Sequence, residues 1–170
     1  MRVHPGSSDE AAFHAFVVAR TAALSRTAYL LTGDHHLAED LVQTALFKTA
    51  KAWGRIKGDP EPYVRRILYT ENISWWRRRR HLREVAVEGY DGPAAAADVD
   101  LRFALEQALA QLSIKQRTVL VLRYFEDLTE AQTAQVLGIG LGTVKSTTRQ
   151  ALARLRAVAP HLGELVEATS

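Results

Sequence analysis

The stretch Thr129–Leu155, TEAQTAQVLGIGLGTVKSTTRQALARL, decides the fold. Thr129 is a preferred helix N-cap, and Gln132 three residues on completes the T-x-x-Q capping box, in which each side chain satisfies the other residue's backbone amide. Leu128 stands where a hydrophobic staple belongs. Ala131, Ala134, Gln135 and Leu137 continue the helix, with small Ala134 where a crossing helix must come close. Gly138 supplies the left-handed residue that ends it. A second helix starts at about Leu141, and its period turns Val144, Thr148 or Thr147, Ala151 and Leu155 inward. Thr143, Lys145, Ser146, Thr147, Arg149 and Gln150 are left as polar groups for a DNA major groove. Two helices joined in this way are a helix-turn-helix or, in the blander reading, an ordinary helical hairpin.

The remaining composition narrows the choice. At 170 residues, 47% hydrophobic and 24% charged, the chain is globular, with material for one moderate core or two small ones. It has no cysteine, which excludes a disulfide framework or a Cys-ligated zinc site. No apolar run is long enough to span a membrane, and the N-terminus MRVHPGSSDE lacks a signal-peptide core, so a cytoplasmic protein is expected. The formal charge is only +3, yet Arg65, Arg66, Arg77, Arg78, Arg79, Arg80 and Arg83 crowd together with Glu71 as the one acid among them. Local charge, more than the total, points to an anionic partner.

Helical periodicity runs through most of the chain. Phe13, Phe16, Val17, Leu24, Ala28 and Leu31 mark a first helix over about 8–31, ended by Thr32-Gly33-Asp34. Asp34 caps a second, in which Leu37, Leu41, Ala45, Lys48 and Ala52 form one stripe and Asp40, Gln43, Thr44 and Phe47 another. After Lys57-Gly58-Asp59-Pro60, a third helix runs over about 63–81 with proline in its first turn. Residues 83–100 contain two glycines, a proline, an alanine run and five acids after Arg83, the composition of a linker. Helical patterns resume over Leu101–Leu112 and over a Ser113-capped Ile114–Phe125. No segment has strand period. The expected architecture is therefore all-α, two small helical domains over 8–82 and 101–158 joined by a flexible acidic linker.

The third helix, YVRRILYTENISWWRRRRH, carries Tyr69, Trp75 and Trp76 among six arginines. Arginines give salt-dependent, sequence-blind phosphate contacts, and aromatic faces stack unpaired bases for about 1–3 kcal/mol each. This is chemistry for opened DNA. Successive helical residues point about 100° apart, so at most one of the two tryptophans lies squarely inward.

A duplex reader, a basic and aromatic strand-handling helix and a linker between them resemble a bacterial RNA polymerase sigma factor of the extracytoplasmic-function type, which keeps only regions 2 and 4. The likeness covers about Phe13 to Leu155 and rests on AEDLVQTALFKTAKAW, YVRRILYTENISWWRRRR and LSIKQRTVLVLRYFEDLTEAQTAQVLGIGLGTVKS in family order. Trp75-Trp76 and TVKSTTRQALARLR look most like the actinobacterial SigE-type branch. The resemblance implies that Asp40, Gln43, Thr44 and Phe47 dock on the clamp helices of the polymerase largest subunit, although Phe47 is equally readable as core. It implies that the loop 56–62 with Tyr63, Arg66, Tyr69, Thr70 and Asn72 captures bases of the promoter −10 element, while Trp75, Trp76, Arg77, Arg78, Arg79 and Arg80 hold backbone nearby. In region 4, Lys115, Arg117 and Arg123 would contact phosphates, and Thr143, Lys145, Ser146, Thr147 and Arg149 would enter the −35 major groove. The partners so implied are core RNA polymerase, including the flap of its second-largest subunit, promoter DNA and an anti-sigma factor, with no cofactor, no metal and no membrane insertion.

Departures from the family pattern fall at contact positions: Thr70 stands where Asn is common, Ser74 where an acid is common, Gly140 where a capping Ser or Pro is common, and Thr147-Thr148 in place of Arg-Leu. Promoter sequence therefore does not transfer. A stand-alone helix-turn-helix repressor or activator with an N-terminal sensing or dimerisation domain is the competing reading. An enzyme is the third: none of the six histidines stands in a metal-ligand or nucleophile pattern, and GIGLG lies between helices instead of after a strand, so catalysis is not expected.

Overall fold

The computed structural model describes residues 7–82 and 97–162, and every regular element among them is helical. The helices are α1 (Ser7–Thr32), α2 (His35–Ala52), α3 (Glu61–Leu82), α4 (Ala97–Ala110), α5 (Ile114–Leu120), α6 (Glu130–Leu137) and α7 (Leu141–Val158). They divide into two compact units, one ending at Asn72 and one beginning at Ile73, so that the division falls within α3. Residues 83–96 of the expected linker and the tail 163–170 lie outside the described residues. The stretch 97–100, expected in that linker, is instead the first turn of α4; nothing after Pro93 breaks a helix, and alanine is the best helix former.

In the first unit α1 stops because Gly33 turns left-handed at φ 70°, its amide closing on the Tyr29 carbonyl at 2.7 Å. Asp34 then caps α2 as expected, its carboxylate accepting from the Leu37 amide at 2.9 Å. Leu24, Ala28 and Leu31 of α1 meet Ala38, Leu41, Val42 and Ala45 of α2 in the core. A short 3-10 turn, Trp53–Arg55, follows α2, and Trp53 is held edge-on by Phe13 at 5.1 Å between ring centroids and tilted against Phe16 at 5.4 Å. Asp59 accepts from the Glu61 amide at 3.0 Å to start α3, with Pro62 in its first turn. Ion pairs tie α3 down: Glu61 takes Arg20 of α1 at 3.0 Å and its own-helix neighbour Arg65 at 2.7 Å, and Lys48 of α2 reaches Glu71.

The second unit is built around α7, which packs against α4, α5 and α6. Ser113 and Gln116 form a reciprocal capping box at the start of α5. The helix expected to run to Phe125 changes at Val121 into a π turn, closed by the Glu126 amide on the Val121 carbonyl at 2.9 Å. The capping box of Thr129 and Gln132 is present with both arms, at 3.1 and 2.8 Å. Gly138 lies in the left-handed region at φ 65°, and the Ile139 amide bonds the Ala134 carbonyl at 3.1 Å. The inward residue of α6 is Thr133, with Ala134 half-buried beside it.

Two glycines of this motif are distinguishable by stability. A Cβ at Gly138 would meet nothing within 4 Å, so Gly138→Ala carries only the left-handed backbone cost and should destabilise the unit by about 1–2 kcal/mol. A Cβ at Gly142, early in α7 and equally unobstructed, relieves helix entropy instead, so Gly142→Ala should stabilise by about 0.5 kcal/mol. Urea denaturation of the two variants checks both signs.

Candidate nucleic-acid interface

On α2 the side chains sort cleanly by face. Leu41, Val42, Ala45 and Thr49 are buried, whereas Asp40, Gln43 and Phe47 are exposed and Thr44 is half-buried, its hydroxyl donating to the Asp40 carbonyl at 2.8 Å. Phe47 is 61% exposed, which removes the reading of it as core. Lys51 stands 4.4 Å from the centre of its ring. A large aromatic on an otherwise polar ridge is what a partner site presents.

Helix α3 is equally two-sided, but not in the way the resemblance implied. Its exposed ridge follows Tyr63, Arg66, Thr70, Ser74 and Arg77 at spacings of three and four residues, with Thr70 half-buried and Arg78 exposed alongside. The inward stripe is Val64, Leu68, Tyr69 and Asn72. Tyr69 is 1% exposed and Asn72 fully buried, so neither reaches a strand lying on the ridge, and both are corrected from base contacts to core residues. Burial pushes the Tyr69 phenol up to about 12, against the pull of the Arg65 guanidinium beside it. Neither polar atom of the Asn72 amide finds a partner among the described residues. Trp75 is half-buried and engaged with neighbours. The side chains of Trp76, Arg79 and Arg80 lie outside those described.

Beside the base of α3, Trp53, Gly54, Ile56, Gly58 and Pro60 line a pocket of about 250 Å³ together with Asp9 of α1. Ile56, Gly58 and Pro60 belong to the loop 56–62 singled out in the sequence; Trp53 and Gly54 precede it, and nothing in the primary structure joins Asp9 of α1 to a loop more than forty residues away.

In the second unit α7 exposes Lys145, Ser146, Arg149 and Gln150, with Thr143 half-buried. Lys145 lies 3.9 Å from Glu130 at the start of α6, and the Ser146 hydroxyl donates to the Thr143 carbonyl at 3.1 Å. Thr147 and Thr148 both face the core with Val144, Ala151 and Leu155, so Thr147, 5% exposed, is withdrawn from the groove-facing set. The inward stripe of α7 is broader than the four positions its period suggested. Gly140 makes no side-chain cap, as its lack of a side chain dictates.

Of the three basic residues expected on phosphates, only Lys115 is exposed. Arg117 is 7% exposed and donates from Nε to the Leu109 carbonyl at 2.8 Å; burial pushes its pKa down to about 10, so it stays a cation at neutral pH. Arg123 donates to the Leu128 carbonyl and lies 5.7 Å from the Tyr124 ring, fastening the turn that delivers Thr129 to its cap. These two arginines brace loops and helix ends. Phe103, Phe125 and Leu141 are exposed apolar side chains of this unit that the sequence reading did not single out.

Among the described residues no cluster of His, Cys, Asp or Glu could hold a metal, and no helix is long and apolar enough to cross a membrane. Comparison with known proteins agrees with the two-part organisation. The family model described as Sigma-70 region 2 matches residues 13–82, and that described as Sigma-70, region 4 matches residues 102–155. The RNA polymerase sigma-E factor of Streptomyces avermitilis is 40% identical over 151 residues, covering 85% of this chain and 83% of that protein. The ECF RNA polymerase sigma factor SigL of Mycobacterium tuberculosis is 34% identical over 175 residues, covering 95% and 97%. Among solved structures, the sigma factor RpoE of Bartonella quintana, determined in complex with the anti-sigma factor NepR, superposes with a TM-score of 0.71 at 28% identity, covering 88% of this chain and 97% of that one.

Two outcomes follow from the placement of the charged and phenolic groups. Because the folded Tyr69 pKa stands above its ordinary 10.0, its contribution to stability is complete below pH 10 and is lost as pH rises from there towards 12. Tyr69→Phe should flatten that alkaline slope relative to the parent chain in chemical denaturation. Lys115→Ala should lower the salt slope of DNA binding by about 1 while leaving stability unchanged. Arg117→Met should do the reverse, because it leaves the Leu109 carbonyl without its donor at about 1–3 kcal/mol.

Proposed function

The chain belongs to the sigma-70 family and is an RNA polymerase sigma factor of the extracytoplasmic-function type, and from that premise we propose how its residues divide the work of promoter recognition. Residues 8–82 act as the region that docks on core polymerase and handles the −10 element, α4 to α7 over 97–158 as the region that reads the −35 element, and 83–96 as the tether between them. The observation that carries this reading is the exposed Phe47 on the ridge of Asp40, Gln43 and Thr44, a surface whose apolar centre and polar rim suit the clamp helices of the polymerase largest subunit.

On α3 the exposed ridge of Tyr63, Arg66, Thr70 and Ser74, continued by Arg77 and Arg78, offers an aromatic face, hydroxyls and cations to the opened −10 strand. Extruded bases enter the pocket formed by the Trp53–Pro60 loop. On α7, Lys145 and Arg149 read guanine or phosphate in the −35 major groove, Thr143 and Ser146 add less selective contacts, and Lys115 holds backbone. Exposed Phe103 and Phe125 supply apolar surface for the polymerase flap. The factor binds and positions DNA and performs no catalysis, since the groups it presents are phosphate ligands and stacking faces. It works in the cytoplasm with core polymerase. An anti-sigma factor covers its Phe47 ridge and arginine helix, a reading supported by the solved complex of the Bartonella relative. A free-standing repressor would account for the second unit alone and leaves the match over residues 13–82 without a purpose.

Run-off transcription with purified core polymerase over a set of genomic promoters tests this: start-site-specific transcripts should depend on the added chain. Phe47→Ala should weaken core binding at least tenfold, as a central aromatic anchor does. Because the side chain is exposed, its loss should change stability by no more than about 0.5 kcal/mol. Native core binding by that variant would remove Phe47 from the interface.

A further inference from the structure

The pocket beside α3 contains one ionisable wall. Trp53 forms a rigid side of it, because Phe13 and Phe16 clamp the indole from α1. Gly58, at φ 84°, turns the loop where a side chain would be strained, and a Cβ there would meet nothing within 4 Å, so the rim stays open. The Asp9 carboxylate overhangs the same loop: its Oδ2 lies 3.9 Å from the point where a Cβ of Gly54 would stand. It is exposed, and no hydrogen bond or ion pair engages it among the described residues.

About 250 Å³ lies just below the range of small-ligand sites, roughly 300–1,000 Å³, and suits a single planar heterocycle. A free carboxylate near a polyanion is unfavourable by simple Coulomb repulsion. It becomes favourable only against hydrogen-bond donors, and those of an extruded base are its exocyclic amines, on cytosine N4, adenine N6 and guanine N2, together with the ring N–H of guanine N1 and thymine N3. Thymine offers only N3–H, flanked on both sides by the O2 and O4 carbonyls, so a carboxylate that accepts from it is set against a carbonyl oxygen.

We propose that Asp9, from the first turn of α1, sets the base specificity of this pocket by accepting from the exocyclic amino group of an extruded base and disfavouring thymine. The proposal rests on the reading of the Trp53–Pro60 loop as the place that captures a −10 base. It adds a residue from outside that loop and gives the choice of base a chemical direction.

The test uses holoenzyme assembled from the full chain and core polymerase, on bubble templates in which each non-template base of the −10 region is changed in turn. With the parent chain, thymine at one position should bind about tenfold more weakly than the best amino-bearing base. Asp9→Ala and Asp9→Asn should each bring that ratio to within about threefold, at that position alone. Asp9 is exposed, so both variants should fold, and the Asn variant keeps a first-turn acceptor for α1. If Ile56→Ala removes the base dependence while both Asp9 variants keep the full thymine penalty, the pocket reads DNA without Asp9 and the inference is overturned. If no position shows base dependence although the parent chain binds core, the reading of the loop fails, and the inference falls with it.

Discussion

The orientation of α3 depends on one carboxylate. Glu61, nearly buried at the start of that helix, holds Arg20 of α1 and Arg65 of α3 on its two oxygens. Arg65 in turn stands beside Tyr69, so a line of charge and aromatic ring runs along the inner side of α3 at four-residue spacing. Such a cluster adds little net stability, since desolvating the ions offsets much of their attraction. Its effect is on register: rotating α3 by one residue would carry Glu61 and Arg65 away from Arg20 and turn the ridge of Tyr63, Arg66 and Thr70 towards the core. Lys48 and Glu71 fix the same helix ten residues further along. The ridge proposed to meet DNA is thus set by contacts made on the opposite side.

Arginine plays two physical roles here, and the distinction governs how DNA affinity is distributed. Arg117 and Arg123 point at carbonyls left open by the geometry of the second unit, that of Leu109 near the end of α4 and that of Leu128 in the turn after the π segment. A guanidinium suits this task because it stays charged when partly desolvated and presents several donors in one plane. Arg66, Arg77, Arg78 and Arg149 are exposed and stand on the surfaces proposed to meet DNA.

Those two roles look alike in a sequence, which explains what was legible and what was not. Local chemistry was read directly: the Thr129–Gln132 box, the Ser113 and Asp34 caps, the left-handed Gly138 and the all-α pattern depend on residues within a turn of one another. The exposed ridge of α2 was legible in part: Asp40, Gln43 and Thr44 were set apart from the inward stripe, whereas Phe47 read equally as core and Lys48, counted in that stripe, is exposed. The resemblance carried Tyr69, Asn72 and Thr147 to DNA, and the period of α7 left Thr147 open as an inward residue; helix geometry places each beside an apolar inward neighbour. Asn72 shows why polarity alone misleads: its amide is buried and unpartnered among the described residues, a placement that costs about 1–3 kcal/mol and that no pattern rule would choose. For Arg117 and Arg123, the deciding facts were the positions of carbonyls set by the packing of α4, α5 and α6.

The inward turn of these residues also bears on why the proposed reading has DNA handled at two places. With Arg117 and Arg123 engaged internally, the cations that the proposed reading assigns to the −35 element reduce to Lys115, Lys145 and Arg149, and Lys145 has Glu130 3.9 Å away. Each phosphate neutralised contributes about 0.9 to the salt slope, so three contacts give a slope near −3, far from the values of about −10 seen in tight duplex binders. A unit of that strength binds duplex only weakly at physiological salt. In the proposed reading, where 83–96 join it to a second binding element, it gains an effective concentration in the millimolar range for a site already approached by its partner. Weak separate contacts combined in this way confine tight binding to DNA that presents both elements at a span the tether allows, so specificity comes from spacing as well as from bases.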